Sequence, residues 1–233
     1  MRLFRGYSVD ISKGGMFMNW DQIGNWFVMF LSGCGVALEI FAVTLVCAIP
    51  LGVLLSFGRR SKYKVISWPV SLYISIMRGT PLLLQLLFVY FAPKYMFGLN
   101  YDRFLAALIA FVLNYAAYFA EIFRGGILAI PKGQYEAAKM LKLSSFQTIR
   151  YIILPQVVKI VLPSIFNEII NLVKDSSLVY VLGVGDLLLE SRTAANRDAT
   201  LAPMFVAGAI YLILVGLVTV ASKNIEKKFN YYK

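Results

Sequence analysis

Long apolar runs separated by short basic or polar stretches set the pattern of this chain. The first clear run extends from about Val36 to Phe57, with Gly33 and Gly35 before it and Arg59, Arg60, Lys62 and Lys64 after. A helix of about 20 predominantly apolar residues crosses the hydrocarbon core of a bilayer, so this run predicts a membrane span. A second region, Val65 to Ala92, is long but interrupted by Arg78-Gly79-Thr80-Pro81, which predicts a broken span. Further runs follow at about Phe104 to Phe123, Ile152 to Val173 and Pro203 to Ala221, with a short apolar piece from Leu178 to Leu189. The pattern predicts an all-α membrane protein with five transmembrane helices. Residues 1–30 read as an N-terminal extracytoplasmic or interfacial segment, 31–222 as the transmembrane domain with a loop at 124–150, and 223–233 as a cytoplasmic tail. Met1 to Asn25 does not read as a signal peptide, because polar and glycine residues interrupt it; Asn19 to Phe30, rich in Trp and Phe, reads as interfacial.

Composition strengthens the membrane reading. Hydrophobic side chains make up 59% of the 233 residues and the mean hydropathy is +0.71, more apolar than a typical soluble domain. The 23 Lys and Arg against 12 Asp and Glu leave a net charge of +11, and their placement decides what that charge means. Basic residues gather after the first span, after the third (Arg124, Lys132, Lys139, Lys142, Arg150) and in the tail (Lys223, Lys227, Lys228, Lys233). The opposite faces carry Arg2, Arg5 and Lys13, then Lys94 and Arg103, then Arg192 and Arg197, diluted by acidic residues. The positive-inside rule then puts the N-terminus outside and the C-terminus in the cytoplasm, and most of the charge needs no nucleic acid. Trp68, Tyr90, Tyr101, Tyr151 and Tyr231 at span ends fit an interfacial belt.

Absences narrow the chemistry. Without a histidine there is no Ser-His-Asp triad and no His-bound metal. Cys34 and Cys47 lie in or beside one apolar stretch without ligand spacing and read as small apolar side chains. No Gly-x-x-x-x-Gly-Lys-Ser/Thr occurs, so ATP hydrolysis by this route is excluded, and energy must come from another subunit or an ion gradient.

The polar stretch from Arg124 to Arg150 is too long and too helix-prone for a simple connector. Tyr135, Ala138, Met140, Leu141 and Leu143 can form an apolar face, with Gln134, Lys139, Lys142 and Gln147 outward. Pro131 and Gly133 open the segment, and Ser144-Ser145 offers an N-cap to a second helix through Phe146 to Ile153. Two short helices joined by a turn suit a groove on a partner protein; an amphipathic helix on the lipid surface is the alternative.

Glu136-Ala137-Ala138, position 142 and Ile152-Ile153-Leu154-Pro155 have the spacing of the EAA motif of ABC importer permeases. Ala120-Glu121-Ile122-Phe123-Arg124-Gly125-Gly126-Ile127, Arg78-Gly79-Thr80-Pro81 and Lys174-Asp175-Ser176-Ser177-Leu178 resemble recurring blocks of the polar amino acid uptake branch. One departure is Lys142, which occupies the motif's glycine position. The resemblance, which covers roughly Val36 to Ala221, implies the type I ABC importer permease fold. It also implies a multi-pass subunit of a prokaryotic cell membrane, paired with itself or a related permease. Two cytoplasmic ATPase subunits would dock on the loop around Glu136, Ala137, Ala138 and Lys142, binding ATP and Mg themselves, with no cofactor in this chain. An extracellular substrate-binding protein would deliver an amino acid.

Ionisable groups inside spans face the bundle interior or a water-filled cavity, because lipid exposure of a charge is costly. Glu168, Asn171 and Asp175 fall at i, i+3 and i+7, on one helix face, with Asn167 and Lys174 bordering it. An amino acid offers an ammonium and a carboxylate, so Arg78 at the break is the candidate cation, Thr80 the candidate hydroxyl, and Gln85, Asn114 and Ser176 further candidate contacts. Tyr115 and Tyr118 sit beside Asn114 as lining residues. The structural alternative is a buried pair of Arg78 with Glu168 or Asp175 that only locks two spans together. Glu39 and Glu121 read as structural, the latter at the cytoplasmic end beside Arg124. The function these features support is a permease subunit of an ATP-driven importer for a polar or basic amino acid. An ion-gradient-driven secondary transporter and a non-transporting scaffold remain the alternatives.

Overall fold

The computed structural model describes residues 20–100 and 102–229. The expectations placed on Arg2, Arg5, Lys13, Tyr101, Tyr231 and Lys233 lie outside those residues. The described chain forms nine α-helices: α1 (Trp20–Arg59), α2 (Lys64–Gly79), α3 (Leu82–Phe97), α4 (Arg103–Leu128), α5 (Lys132–Met140), α6 (Ser145–Gln147), α7 (Leu154–Asp175), α8 (Leu187–Asp198) and α9 (Ala202–Lys228). A π-helical turn (Thr148–Ile153) leads into α7, and a 3₁₀ turn (Ser176–Leu182) follows it. Among the described residues four stretches are long and apolar enough to cross a membrane, and α2 with α3, bent by 113°, make a fifth when the pair is counted as one broken span.

The break in the second span has a local cause. Proline disfavours the helical region for the residue before it, and Thr80 is accordingly extended (φ −121°, ψ 149°), as is Pro81 (φ −63°, ψ 135°). Pro155 has a related effect at the start of α7. It has no N–H to offer the carbonyl four residues back and its ring crowds that carbonyl, and the chain just before it is wound into the wider π turn.

Helix α4 is the axis of the bundle. Ala106, Ala107, Ala110, Ala116, Ala117 and Ala120 are all buried along it, and small side chains let helix backbones approach closely. Gly52 of α1 marks a close crossing: a Cβ there would sit 2.6 Å from the Phe119 Cβ. Phe111, Tyr115 and Phe119 form a fully buried column, with the first two rings parallel to within 7°. The exposed Leu212, Ile213 and Leu217 of α9 are apolar surface suited to lipid.

Three elements depart from the sequence pattern. Helix α1 begins at Trp20 and is unbroken through position 30; its 40 residues span about 60 Å at 1.5 Å each. Trp26 and Phe30 are buried against Leu187, Ala194 and Ala207 instead of lying at the lipid interface. The Trp26 indole N–H donates to Asp198 Oδ2 at 2.7 Å, and Arg197 holds that carboxyl below its usual range. Helix α8 is not legible in the sequence, because its polar half reads as a loop; Asp186 starts it by accepting from the Leu188 and Leu189 amides at 3.1 and 3.0 Å. In the loop before α7 the expected apolar face does not form as a unit: Ala138 is fully buried, whereas Met140 and Leu141 are exposed.

That loop is nevertheless built as two capped helices. Ser144 closes a capping box with Gln147: its hydroxyl accepts from the Gln147 amide at 3.2 Å, and Gln147 Oε1 accepts from the Ser144 amide at 2.9 Å. Helix α5 ends in a Schellman motif, with Leu143 N–H on Ala138 O at 3.1 Å and Lys142 N–H on Lys139 O at 3.0 Å. The left-handed residue of that motif is Lys142, at φ 56°, which is the position where the EAA pattern has glycine. Left-handed backbone costs an L-residue about 1–2 kcal/mol, while glycine's freer unfolded chain returns about 0.4–1 kcal/mol. Lys142→Gly is therefore expected to stabilise the chain by about 0.5–1 kcal/mol, read as a raised thermal midpoint in detergent; a lowered midpoint would contradict the strain.

Candidate functional site

The bend between α2 and α3 faces α4 and the last turns of α7. Together they enclose a polar cavity of about 370 Å³ lined by Thr80, Pro81, Leu82, Asn114, Tyr115, Tyr118, Glu168, Asn171, Asp175 and Leu178. The i, i+3, i+7 spacing on α7 thus delivers Glu168, Asn171 and Asp175 to one space. Asp175 is already engaged, because the Tyr115 hydroxyl donates to its Oδ2 at 2.8 Å. Glu168 is half-buried, beside the Asn171 amide and within electrostatic reach of both Asp175 and Arg78. Among the described residues no lysine or arginine lines the cavity, which therefore presents two carboxyl groups and no lining cation.

Gln85 and Asn114 perform a different task from the one their polarity suggests. The Gln85 amide nitrogen donates to Met77 O at 2.9 Å, Thr80 O at 3.1 Å and Thr80 Oγ1 at 2.8 Å. Asn114 Nδ2 in turn donates to Gln85 Oε1 at 2.9 Å and Met77 O at 3.1 Å. These bonds satisfy carbonyls that the interrupted helix leaves free, as backbone exposed at membrane depth requires. Gln85 thus braces the bend, while Asn114 both braces it and faces the cavity.

Arg78 lies at the edge of the cavity, its guanidinium 5.3 Å from the centre of the Tyr118 ring. Its carboxylate partner is neither Glu168 nor Asp175 but Glu121, at 3.5 Å. Glu121, expected as a structural residue at the cytoplasmic end beside Arg124, gathers Arg59, Arg78 and Arg124. The i, i+3 spacing of Glu121 and Arg124 is a visible signal for one of these pairs, but the other two arginines arrive from distant parts of the chain. Asn167 and Lys174 are exposed and do not line the cavity, and Ser176 is buried with its hydroxyl donating to Val173 O at 2.8 Å. Lys159 lies within α7 and is partly buried, and nothing in the local pattern singles it out.

Away from the cavity, α5 carries Glu136 and Ala137 outward and Ala138 inward. Among the described residues no group of three or more His, Cys, Asp or Glu is placed to hold a metal ion.

A bent second span, a capped two-helix loop between α4 and α7 and a polar cavity within the bundle describe the membrane-spanning permease subunit of a transporter. The chain belongs to the binding-protein-dependent transport system inner membrane component family, which it matches over residues 48–231. It is similar to the arginine transport system permease protein ArtQ of Bacillus subtilis, 40% identical over 199 residues covering 85% of this chain and 91% of that one. A putative glutamine transport system permease protein GlnP of Rickettsia felis is 39% identical over 202 residues, 86% of this chain and 93% of that one. Among solved structures, a crystal structure of an amino acid ABC transporter with histidines matches with a TM-score of 0.84 and 31% identity, over 91% of this chain and 100% of that one.

The bracing role of Gln85 has a measurable consequence. Gln85→Leu removes the partner of Asn114 and strands buried polar groups, which costs about 1–3 kcal/mol for each group left unpaired. A fall in the thermal midpoint of the purified protein in detergent is expected, and an unchanged midpoint would show that the bend holds without it.

Proposed function

We propose that this chain forms the translocation path of an ATP-driven amino acid importer, with a preference for cationic and polar amino acids. The observation that carries the preference is the cavity in which Glu168 and Asp175 meet with amides and hydroxyls but no lining cation among the described residues. Asp175 shares its charge with Tyr115, so Glu168 is the carboxylate left for a ligand's ammonium or cationic side chain. Arg78 at the edge is the counterpart for the ligand's carboxylate. Asn114, Asn171 and Thr80 supply neutral contacts. Asn167 and Ser176 have no such placement and take no part in this reading. Relatives named for arginine, glutamine and L-cystine transport support an amino acid as the ligand and span the chemistry such a cavity must discriminate.

The loop 124–150 is the docking element for a cytoplasmic ATPase subunit, which binds ATP and Mg. Exposed Glu136 and Ala137 enter the partner's groove, while buried Ala138 and the Lys142 turn hold α5 at its angle. Two copies of this chain, or this chain and a paralogue, enclose the path in a prokaryotic cell membrane, and an extracellular binding protein delivers the ligand. The basic residues after α1, after α4 and in the tail support an orientation with the N-terminus outside and the C-terminus in the cytoplasm. ATP binding draws the ATPase pair together and opens the cavity outward, and hydrolysis resets it.

Uptake into proteoliposomes, competed by each of the twenty amino acids and cystine, tests the whole reading. A charge-assisted hydrogen bond lost from a buried site weakens binding by roughly ten- to a hundredfold. Glu168→Gln is accordingly expected to weaken arginine and lysine by that factor while neutral amino acids change only a few-fold; equal losses for both would remove Glu168 from side-chain recognition. Uptake that persists without the ATPase and collapses with the proton gradient would overturn the ATP-driven assignment. For docking, a cysteine at Ala137 should crosslink to the ATPase in a nucleotide-sensitive way, and Glu136→Lys should uncouple transport with expression intact. Absence of any such crosslink would place the ATPase elsewhere.

A further inference from the structure

The three arginines around Glu121 are not held equally. Arg124 makes a two-pronged pair with it, Nε on Oε1 at 2.9 Å and Nη2 on Oε2 at 2.8 Å. These are the lengths of charge-assisted hydrogen bonds. Arg59 also hydrogen-bonds Oε1. Arg78 reaches only to 3.5 Å of Oε2, beyond that range, and its side chain stays 42% exposed while Glu121 is 12% exposed. Its other hold is the face of Tyr118 at 5.3 Å, and Tyr118 lines the polar cavity. One carboxylate thus serves three cations, and the cluster keeps positive charge uncompensated at its most loosely held member, which borders the cavity.

We infer that Glu121 is a positioning residue for recognition of the substrate's carboxylate: it parks Arg78 at the cavity edge and yields it to an entering carboxylate. The inference rests on the reading of the cavity as an amino acid site. The ligand's carboxylate and Glu121 compete for one guanidinium, so binding needs only a short swing of Arg78 over the Tyr118 ring and no creation of a buried unpaired charge. When Arg78 leaves, Glu121 is left to Arg59 and Arg124. Those two side chains belong to the last turn of α1 and to the helix that runs into the docking loop. Occupancy of the cavity thereby changes the charge balance at both helix ends.

The competition predicts opposite signs for two substitutions in the same cluster. In the purified permease–ATPase complex, affinities would be measured for L-arginine, L-lysine and L-glutamine and for the amines that lack only the α-carboxylate. Glu121→Gln frees Arg78 and should tighten the amino acids by roughly two- to fivefold, the span of a partly exposed ion pair, with the amines unchanged. Arg124→Gln leaves Glu121 under-satisfied, so Arg78 is gripped harder and the amino acids weaken while the amines again hold. Affinity ratios do not depend on the folded fraction, and if Glu121→Gln fails to assemble, Arg124→Gln with Glu121→Asp gives the same comparison. Losses in both variants, or equal changes for amino acids and amines, overturn the exchange. Arg78→Gln separates the two levels. If it abolishes the preference for amino acids over amines while the cluster variants do nothing, the site stands and the exchange falls. If it leaves the preference intact, or if none of the three amino acids binds, the site reading falls and the exchange with it.

Discussion

The bilayer's intolerance of unsatisfied polar groups is the constraint from which this structure follows. In water an interrupted helix can leave its carbonyls to solvent, whereas at membrane depth each must find a partner inside the protein. The break at Gly79-Thr80-Pro81 therefore recruits Gln85 and Asn114, and their amides fix the angle between α2 and α3. Once that angle is set, Thr80, Pro81 and Leu82 are turned towards α4 and α7 and become one wall of the polar cavity. The small residues of α4 complete the arrangement by letting α1 pack closely enough for Arg59, at its end, to reach Glu121.

The same constraint sorts the charged groups by role. Carboxylates that would be costly in lipid are kept where a neighbour shares them: Asp175 by Tyr115 and Glu121 by three arginines. Glu168 has the Asn171 amide beside it and lies within electrostatic reach of Arg78. Buried ion pairs contribute little net stability on their own, so the Glu121 cluster is better understood as fixing where cations sit than as a source of folding energy. The apolar exterior of α9 follows the complementary rule: it faces outward because nothing polar needs to be covered there.

Much of this is legible along the chain, and the limits are instructive. Spans are readable because apolar runs of that length are hard to bury in a water-soluble fold, and the break is readable because proline restricts its predecessor. The i, i+3, i+7 set on α7 follows from helix geometry alone. The Ser144 cap is also readable, since it depends on residues adjacent in sequence, whereas at Lys142 the chain shows only a departure from the motif's glycine and leaves the left-handed backbone to the structure. What cannot be read depends on distant residues meeting. The choice of Glu121 over Glu168 or Asp175 as the partner of Arg78 is decided by packing of α1, α2 and α4. The bracing role of Gln85 requires knowing how sharply the span bends. Helix α8 escapes because its polar residues read as a connector, and the extension of α1 to Trp20 because glycines and polar residues interrupt its apolar pattern.

Lys142 has a mechanical consequence. A glycine at a left-handed turn can visit many neighbouring conformations, so a helix ending there pivots easily. A lysine confined to the same backbone region is caught in a narrow well, with two Schellman bonds closing it and the capping box at Ser144 stiffening the next segment within two residues. The joint between α5 and the start of α7 then behaves as a rigid elbow. In the proposed docking role, a push delivered to α5 would pass on to α7, the helix that carries Glu168 and Asp175, instead of being absorbed in the turn.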